Sequence, residues 1–279
     1  MNGFILVNKQ KDVTSNFIVQ EIKKKIKAKK VGHMGTLDPL ASGLLILAID
    51  RATKFSSYFL ESDKSYDVEV SLGISTDTDD STGNIISESN NCPDEALIKK
   101  ELYRFKGESL QVPPFFSALK HKGKPLYYYA RKGEFISKPA RKIKVTDIED
   151  FKYKNKICSF RIQCSKGTYI RSIARDLGER LGCGAHMKSL IRISQGKFCI
   201  SKSKEISHLS KEDIISIERA FEDLESITIT SEHEKKFING VTIPELKHKD
   251  NIYRVFSKDN TFIGIGEIKD SFLNHKQLV

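Results

Sequence analysis

The chain has 279 residues, of which 39% are hydrophobic, and a formal net charge of +11 at pH 7. This length accommodates one large domain with a buried core and one small domain. The charge favours a polyanionic partner, with nucleic acid ahead of an acidic membrane. The five cysteines include no CxxC pair, which argues against a zinc site. With no basic leader and no apolar run that could span a bilayer, we expect a cytoplasmic protein without a membrane span.

Hydrophobic patterning predicts three regular elements in the first part of the chain. A buried strand is expected at 4–7, where four apolar residues follow one another. A helix is expected at about 15–26, with Ser15 as its N-cap, and a second strand at 44–49. Six lysines lie at the end of this helix and just after it: Lys23, Lys24, Lys25, Lys27, Lys29 and Lys30. Because they precede the glycine-rich segment described below, we expect them to contact phosphate groups.

The next stretch predicts a hairpin. Strict alternation of apolar and polar residues at 66–72 indicates a strand with one apolar face. An acidic loop at 77–83 follows, with a return strand near Ile85 and Ile86. The loop partly resembles a calcium-binding loop, but Thr82 stands where glycine is needed and strands flank it. We therefore interpret it as a hairpin loop that does not bind calcium.

A helix is predicted after Pro93, with a buried stripe formed by Ile98, Leu102 and Phe105 and a stop at Gly107. Later elements are a strand, a helix and a strand, expected at 157–164, 169–181 and 187–193.

The final third of the chain changes character. Ser210 and Asp213 form a capping-box-like start to a helix near 214–221. The sequence beyond about residue 227 predicts a small separate β-rich module. It contains a short helix followed by two strands, expected at 232–239, 253–256 and 262–268.

Residues 30–43 form the most informative segment, in which three glycines surround a single carboxylate, Asp38. Pro39 restricts Asp38 to extended or turn geometry. The glycines permit backbone conformations and close approaches that a side chain would block. A carboxylate held at such a bend, within reach of a bulky ligand, is a candidate nucleophile.

Aromatic and basic residues interleave between about 111 and 136, after a Pro-Pro pair. Stacking surfaces beside positive charges suit unpaired nucleotides. We therefore expect an RNA-binding insert here, with Lys120 and Arg131 among its contacts.

Four segments, in this order along the chain, resemble the TruB family of tRNA pseudouridine synthases. Residues 32–43 read GHMGTLDPLASG and are similar to the family's catalytic motif G-H-T-G-T-L-D-P-x-A-T-G, with Met34 and Ser42 as departures. Tyr66 falls at the family tyrosine that opens a strand. The insert begins QVPPFFSALK, and residues 166–172 read KGTYIRS, both similar to family motifs.

The resemblance implies an α+β fold with a mixed, largely antiparallel central sheet flanked by helices. Residues 1–226 would form the catalytic domain, with the insert at about 111–136, and residues 227–279 a PUA-like RNA-binding module. The implied activity is isomerisation of the T-loop uridine at position 55 of tRNA to pseudouridine. The implied partner is the tRNA T-arm stem-loop. We expect a monomer that needs no metal or cofactor, because the product contains the same atoms as the substrate.

The resemblance also implies roles for individual residues. Asp38 would be the nucleophile or the base that starts a glycal route, and Arg171 would pair with it and keep it ionised. Tyr66 would stack on the flipped uracil. Residues implied in substrate binding or in supporting the pocket are Lys9, His33, Lys120, Arg131, Tyr169 and Ile193.

Three other functions are compatible with parts of this pattern. A tRNA-folding chaperone would use the same basic surfaces without the chemistry of Asp38. A pseudouridine synthase acting on ribosomal RNA would share that chemistry. A retaining glycosidase would need a second carboxylate opposite Asp38, and the matched motifs supply none in that role.

Overall fold

The computed structural model describes residues 1–91, 93–244 and 247–279. Cys92, one of the five cysteines counted above, lies outside the described residues. The described helices are α1 (Ser15–Ile26), α2 (Ser56–Leu60), α3 (Glu95–Tyr103), α4 (Leu126–Ala130), α5 (Ile170–Arg180), α6 (Ile217–Ala220) and α7 (Ser231–Ile238). None of these helices is long and apolar enough to cross a membrane.

The described strands are β1 (Gly3–Lys9), β2 (Val31–His33), β3 (Ser42–Ile49), β4 (Lys64–Leu72), β5 (Ile74–Thr76), β6 (Ile85–Glu88), β7 (Gly107–Gln111), β8 (Lys120–His121), β9 (Lys124–Pro125), β10 (Arg141–Lys154), β11 (Ile157–Cys164), β12 (Ala185–Gln195), β13 (Phe198–Cys199), β14 (Ile215–Ser216), β15 (Ser226–Thr228), β16 (Ile243–Pro244), β17 (Asn251–Phe256), β18 (Phe262–Lys269) and β19 (Phe272–Leu278).

The central sheet has ten strands, eight of them in the order β14-β1-β3-β12-β4-β11-β10-β7, with β2 paired to β3 and β13 to β12. Neighbours are antiparallel except β3 and β12, which run parallel. The expected mixed, largely antiparallel sheet is therefore confirmed. At the parallel pair, Gly43 has φ +100°, and a Cβ there would lie 2.5 Å from the Arg192 carbonyl oxygen. Glycine thus lets the strand that follows Asp38 approach β12 closely.

Strand β3 connects two hydrophobic cores, because its successive side chains point to opposite faces of the sheet. Leu45, Leu47 and Ile49 belong to the core beneath α1 and α5. The alternate residues belong to an aromatic-rich core that also contains Phe59 and Phe221. The strand that begins beside the Asp38 loop is therefore fixed on both faces.

The helix predicted at 15–26 is confirmed, but its N-cap is Thr14 rather than Ser15. The Thr14 side chain accepts a hydrogen bond from the Phe17 N–H at 3.0 Å. Ser15 is buried, and its Oγ donates to the Leu37 carbonyl and accepts from the Leu37 N–H, both at 2.9 Å. The hydroxyl is used to pin the residue before Asp38 instead of capping the helix.

Three other local predictions change in detail. Helix α3 ends at Tyr103, and Gly107 begins β7 instead of stopping the helix. The capping box at Ser210 is present, but it caps a single 3-10 turn at Lys211–Asp213. Helix α6 starts later and is capped by Ser216. The acidic loop is a hairpin loop as predicted, but the return strand β6 pairs with β5 in a separate two-stranded sheet. The strand predicted at 66–72 belongs to β4, which pairs with β11 and β12 instead.

The last part of the chain forms a second, five-stranded sheet in the order β15-β17-β18-β19-β16. Helix α7 packs on it through Phe237, which is fully buried. This sheet contacts the core of the larger one, because Ile265 joins the aromatic-rich core. The Nε of Arg254 also donates to the carbonyl of Leu224, in the segment between α6 and β15, at 3.0 Å.

Candidate active site

Asp38 lies in the loop between β2 and β3, and both of its flanks are fixed. Ser15 holds the backbone of Leu37 on one side. On the other side, the Nζ of Lys9 donates to the Pro39 carbonyl at 3.2 Å. The Asp38 side chain keeps 35% of its exposure. The carboxylate is therefore held in place yet remains open to a ligand.

Arg171, in the first turn of α5, is the ion-pair partner of Asp38. Its Nε lies 2.8 Å from the Asp38 Oδ2, and its side chain is only 6% exposed. The other guanidinium nitrogens donate to the carbonyls of Thr78, at 3.2 Å, and Phe116, at 2.9 Å. Because three separate segments fix the guanidinium, it presents a rigid positive charge to Asp38.

Asp80 supplies a second carboxylate to Arg171, from the acidic hairpin loop. Its Oδ2 lies 3.8 Å from the Arg171 Nε, and the side chain is 7% exposed. Its Oδ1 accepts hydrogen bonds from the Thr78 hydroxyl at 2.8 Å and from the N–H and hydroxyl of Thr82 at 2.9 and 2.6 Å. Sequence analysis gave this loop no role in the site. The available signal was the group of aspartates that follows the Tyr66 strand.

Tyr66 is 7% exposed, and its phenol lies near the guanidinium of Arg192, whose charge acts on it. Burial raises the pKa of Tyr66 to about 12. Arg192 is itself only 1% exposed, and burial lowers the pKa of its guanidinium from the usual value. Its Nε donates to the Leu44 carbonyl at 2.7 Å and its Nη2 to the Gly35 carbonyl at 3.1 Å. One side chain thus holds both ends of the loop that carries Asp38.

Sequence analysis did not single out Arg192 as a site residue. The available signal was an arginine between two isoleucines near the end of the strand predicted at 187–193. A buried arginine is costly unless its donors are satisfied, so such a position indicates specific partners.

Lys9 and His33 lie against the same loop. Lys9 is fully buried, and its Nζ donates to the carbonyls of Gln10, Val13 and Pro39. Burial lowers the pKa of Lys9 to about 8, although nearby Asp38 opposes this shift. Burial, and next the charge of Arg192, lower the pKa of His33, so its ring is neutral at pH 7. Within the described residues, the His33 Nδ1 is buried without a hydrogen-bond partner.

The remaining predicted residues fall into two groups. Tyr169 immediately precedes α5 and therefore adjoins Arg171, and Ile193 is half-buried at the bulge where β12 pairs with β4. Lys120 and Arg131 are exposed on the insert, and the Arg131 guanidinium lies 5.5 Å from the centre of the Tyr127 ring. Tyr169 thus lies beside the segment that carries Arg171 and Ile193 follows Arg192 in β12, whereas Lys120 and Arg131 lie on the surface of the insert.

The sheet and its flanking helices have the fold of pseudouridine synthases. The chain superposes with a TM-score of 0.72 and 22% identity on a chain of an H/ACA RNP bound to a substrate RNA containing 2'-deoxyuridine, covering 99% of this chain and 84% of that one. A chain of the archaeal box H/ACA sRNP Nop10-Cbf5 complex gives a TM-score of 0.71 at 23% identity, covering 99% and 85%.

Sequence comparison narrows this class to one family. Residues 23–170 match the family model for the N-terminal domain of TruB family pseudouridylate synthase. Residues 171–227 match the tRNA pseudouridylate synthase B C-terminal domain, and residues 226–279 the C-terminal model of pseudouridine synthase II TruB.

Two curated relatives are tRNA pseudouridine synthase B proteins. The one from Clostridium kluyveri is 40% identical, covering 97% of this chain and 96% of the relative. The one from Francisella tularensis subsp. novicida is 37% identical, covering 99% and 94%. The chain therefore belongs to the TruB family of pseudouridine synthases and is an isomerase that modifies RNA. The resemblance drawn from its motifs is confirmed.

Proposed function

We propose that the protein isomerises the uridine at position 55 in the T-loop of tRNA to pseudouridine, with Asp38 as the reacting carboxylate. The contact that carries the proposal is the 2.8 Å pair between the Asp38 Oδ2 and the Arg171 Nε. The fixed guanidinium pairs with the negative charge of the carboxylate and orients it, as a reacting carboxylate in an open loop requires. The relatives named tRNA pseudouridine synthase B support tRNA as the substrate.

The reaction breaks the C–N glycosidic bond, rotates the uracil and forms a C–C bond to the same sugar. Asp38 either attacks the nucleoside or removes the proton that starts a glycal route. A uridine stacked in the T-loop is out of reach, so the nucleotide must flip out, at a cost of roughly a few kcal/mol. Phosphate contacts and stacking within the site offset this cost.

Tyr66 is proposed to stack on the flipped uracil, with Tyr169 and Ile193 lining the pocket. Because burial raises the pKa of Tyr66 to about 12, its phenol keeps its proton at neutral pH and acts as a donor rather than a base. The neutral ring of His33 is proposed to fill the space that the flipped nucleotide leaves in the T-loop. Lys9 acts through the carbonyl of Pro39 by supporting the loop.

Two basic surfaces support binding of the T-arm. One is a groove beside the start of β2, lined by Lys29, Lys30, Arg51 and Lys54. The other is the insert, where the ammonium groups of Lys124 and Lys132 lie 4.4 and 4.6 Å from the centre of the Tyr128 ring. Cations beside an aromatic face suit both phosphates and unpaired bases. Lys120 and Arg131 are proposed to add phosphate contacts there.

The domain layout proposed from the sequence places the catalytic domain at 1–226 and a PUA-like RNA-binding module at 227–279. The second sheet, from β15 to β19, coincides with that module and supports the division. We propose that the protein acts as a monomer in the cytoplasm.

The test uses an unmodified tRNA transcript with purified wild-type protein and Asp38→Asn. Pseudouridine is mapped by mass spectrometry after chemical tagging, and tRNA affinity is measured by filter binding. We expect the wild type to modify position 55 alone, and the variant to bind tRNA equally well without modifying it. Isomerisation by Asp38→Asn at the wild-type rate would refute Asp38 as the reacting carboxylate, whereas tRNA binding without isomerisation by the wild type would favour the tRNA-folding chaperone. Modification of ribosomal RNA but not of tRNA would overturn the proposal that tRNA is the substrate.

A further inference from the structure

The base of the insert is hydrogen-bonded to the segment that carries Arg171. The side-chain amide of Gln111 makes two bonds to the backbone of Tyr169: its Nε2 donates to the carbonyl at 3.1 Å, and its Oε1 accepts from the N–H at 2.8 Å. Gln111 is the last residue of β7, at the edge of the central sheet, and is 2% exposed. A buried side chain therefore joins the insert to the residue immediately before α5.

The bonds continue over the first two turns of α5. The Val112 carbonyl accepts from the Ser172 hydroxyl at 3.0 Å and from the Arg175 Nη2 at 3.1 Å. The Phe116 carbonyl accepts from the Arg171 Nη2 at 2.9 Å. The base of the insert, residues 111–117, is thus bonded to the same side chain that pairs with Asp38.

Glutamine is chemically suited to this position. Tyr169 is extended, with φ −97° and ψ 113°, and exposes a donor and an acceptor as a strand residue does. A carboxamide supplies one acceptor and two donors, so it pairs with both groups as another strand would. Glutamate lacks the donor while ionised, and leucine lacks both. The two bonds therefore depend on this residue type.

We propose that Gln111 is a positioning residue for the isomerisation, fixing Tyr169 and, through it, the guanidinium of Arg171 opposite Asp38. This rests on the function proposed above. RNA seated on the insert then orders the base of the insert and Arg171 together, so the insert contributes to the chemical step as well as to binding. Misplacing a reacting group by about 1 Å can cost on the order of a hundredfold in rate.

The test compares Gln111→Leu and Gln111→Glu with Leu110→Ala in the full chain. Leu110 precedes Gln111 in the same strand and is 68% exposed, so its variant is the matched control. The probe is a tRNA transcript with tritium at C5 of uridine. Single-turnover tritium release at saturating enzyme measures the chemical step, and filter binding measures Kd. Urea unfolding identifies conditions in which every variant is folded.

We expect Gln111→Leu to lower the single-turnover rate by roughly tenfold to a hundredfold, with Kd within about twofold of the wild type. Leu110→Ala should match the wild type in both. A wild-type rate in folded Gln111→Leu, or a loss that appears only in Kd, would overturn the inference. An inactive wild type would instead overturn the proposed function.

Gln111→Glu supplies a second readout, which does not depend on the leucine variant folding. Its ionised carboxylate accepts from the Tyr169 N–H but cannot donate to the Tyr169 carbonyl, whereas its protonated form can. The ratio of the Gln111→Glu rate to the wild-type rate should therefore rise as pH falls from 8 to about 5.5. A ratio that does not change with pH would contradict the positioning role.

Discussion

Asp38 and Arg171 form a pair whose members differ sharply in exposure. Their Oδ2 and Nε atoms lie 2.8 Å apart, but the aspartate side chain is 35% exposed and the arginine side chain 6%. The protein therefore immobilises the cation and leaves the anion accessible. This asymmetry suits a site in which the carboxylate must reach a flipped nucleotide while its charge is held in place.

Replacing Arg171 by lysine should nearly abolish isomerisation. A single ammonium cannot serve Asp38, Thr78 and Phe116 in the plane that the guanidinium spans. We expect a loss of about a hundredfold or more in single-turnover tritium release, with tRNA affinity little changed. Arg180→Lys, at the exposed end of the same helix, is the control and should keep the wild-type rate. Full activity in Arg171→Lys would refute the role given to the fixed guanidinium.

Asp80→Asn should lower the rate without lowering tRNA affinity. The asparagine keeps an acceptor for Thr78 and Thr82 but removes the second negative charge, 3.8 Å from the Arg171 Nε. We expect a loss of about tenfold, because the orientation of the guanidinium depends in part on this carboxylate. Asp77→Asn is the matched variant, since Asp77 bonds to Asn84 within the hairpin. If both variants lost the same fraction of the isomerisation rate, the effect would come from the stability of the hairpin rather than from the charge of Asp80.

Arg192→Lys should affect the Asp38 loop while preserving the charge. Lysine lacks the rigid, forked set of donors with which the guanidinium reaches the Gly35 and Leu44 carbonyls together. A buried carbonyl that loses its donor costs about 1–3 kcal/mol, so the free energy of unfolding in urea should fall by that order. The single-turnover rate should fall as well, at temperatures where the variant remains folded. A destabilised variant with the wild-type rate would limit Arg192 to a role in stability.

Asp79 should make stability depend on pH. Burial raises its pKa from 3.8 to about 6, despite Arg175 at 3.2 Å. Between about pH 4 and pH 6 Asp79 therefore binds more protons in the folded state than in the unfolded state, and its contribution to the stability of the wild type falls as pH rises. Asp79→Asn lacks this titration. Its free energy of unfolding relative to the wild type should rise by up to about 3 kcal/mol over that interval, in urea titrations at each pH. A difference that stays constant with pH would contradict the assigned shift.

Charge reversal in the groove beside β2 should weaken tRNA binding in a salt-dependent way. Lys30→Glu or Lys54→Glu should raise Kd and make the slope of log affinity against log salt less steep, by about one for each phosphate that the protein no longer neutralises. Lys152→Glu changes the net charge by the same amount at an exposed position of β10 and serves as the control. Equal weakening by the control would assign the effect to net charge rather than to the groove.

The sequence by itself determined the positions of most strands and helices, because periodic burial records which face of an element is apolar. It also singled out Asp38, since a carboxylate between glycines and a proline has a recognisable local pattern, and its motifs indicated Arg171 and Tyr66. Its errors were local: Ser15 was assigned as an N-cap because side-chain type alone does not show whether a hydroxyl has a tertiary partner such as Leu37.

Only the tertiary structure decided how these residues are held. Arg192 bonds to Gly35 and Leu44, 157 and 148 positions away, and Gln111 bonds to Tyr169, 58 positions away. In each of these bonds a side chain pairs with a backbone group. Backbone N–H and C=O groups are the same in nearly every residue, so the partner leaves no pattern in the sequence. The backbone group that a buried arginine or glutamine binds is fixed only when the folded sheet brings distant segments of the chain together.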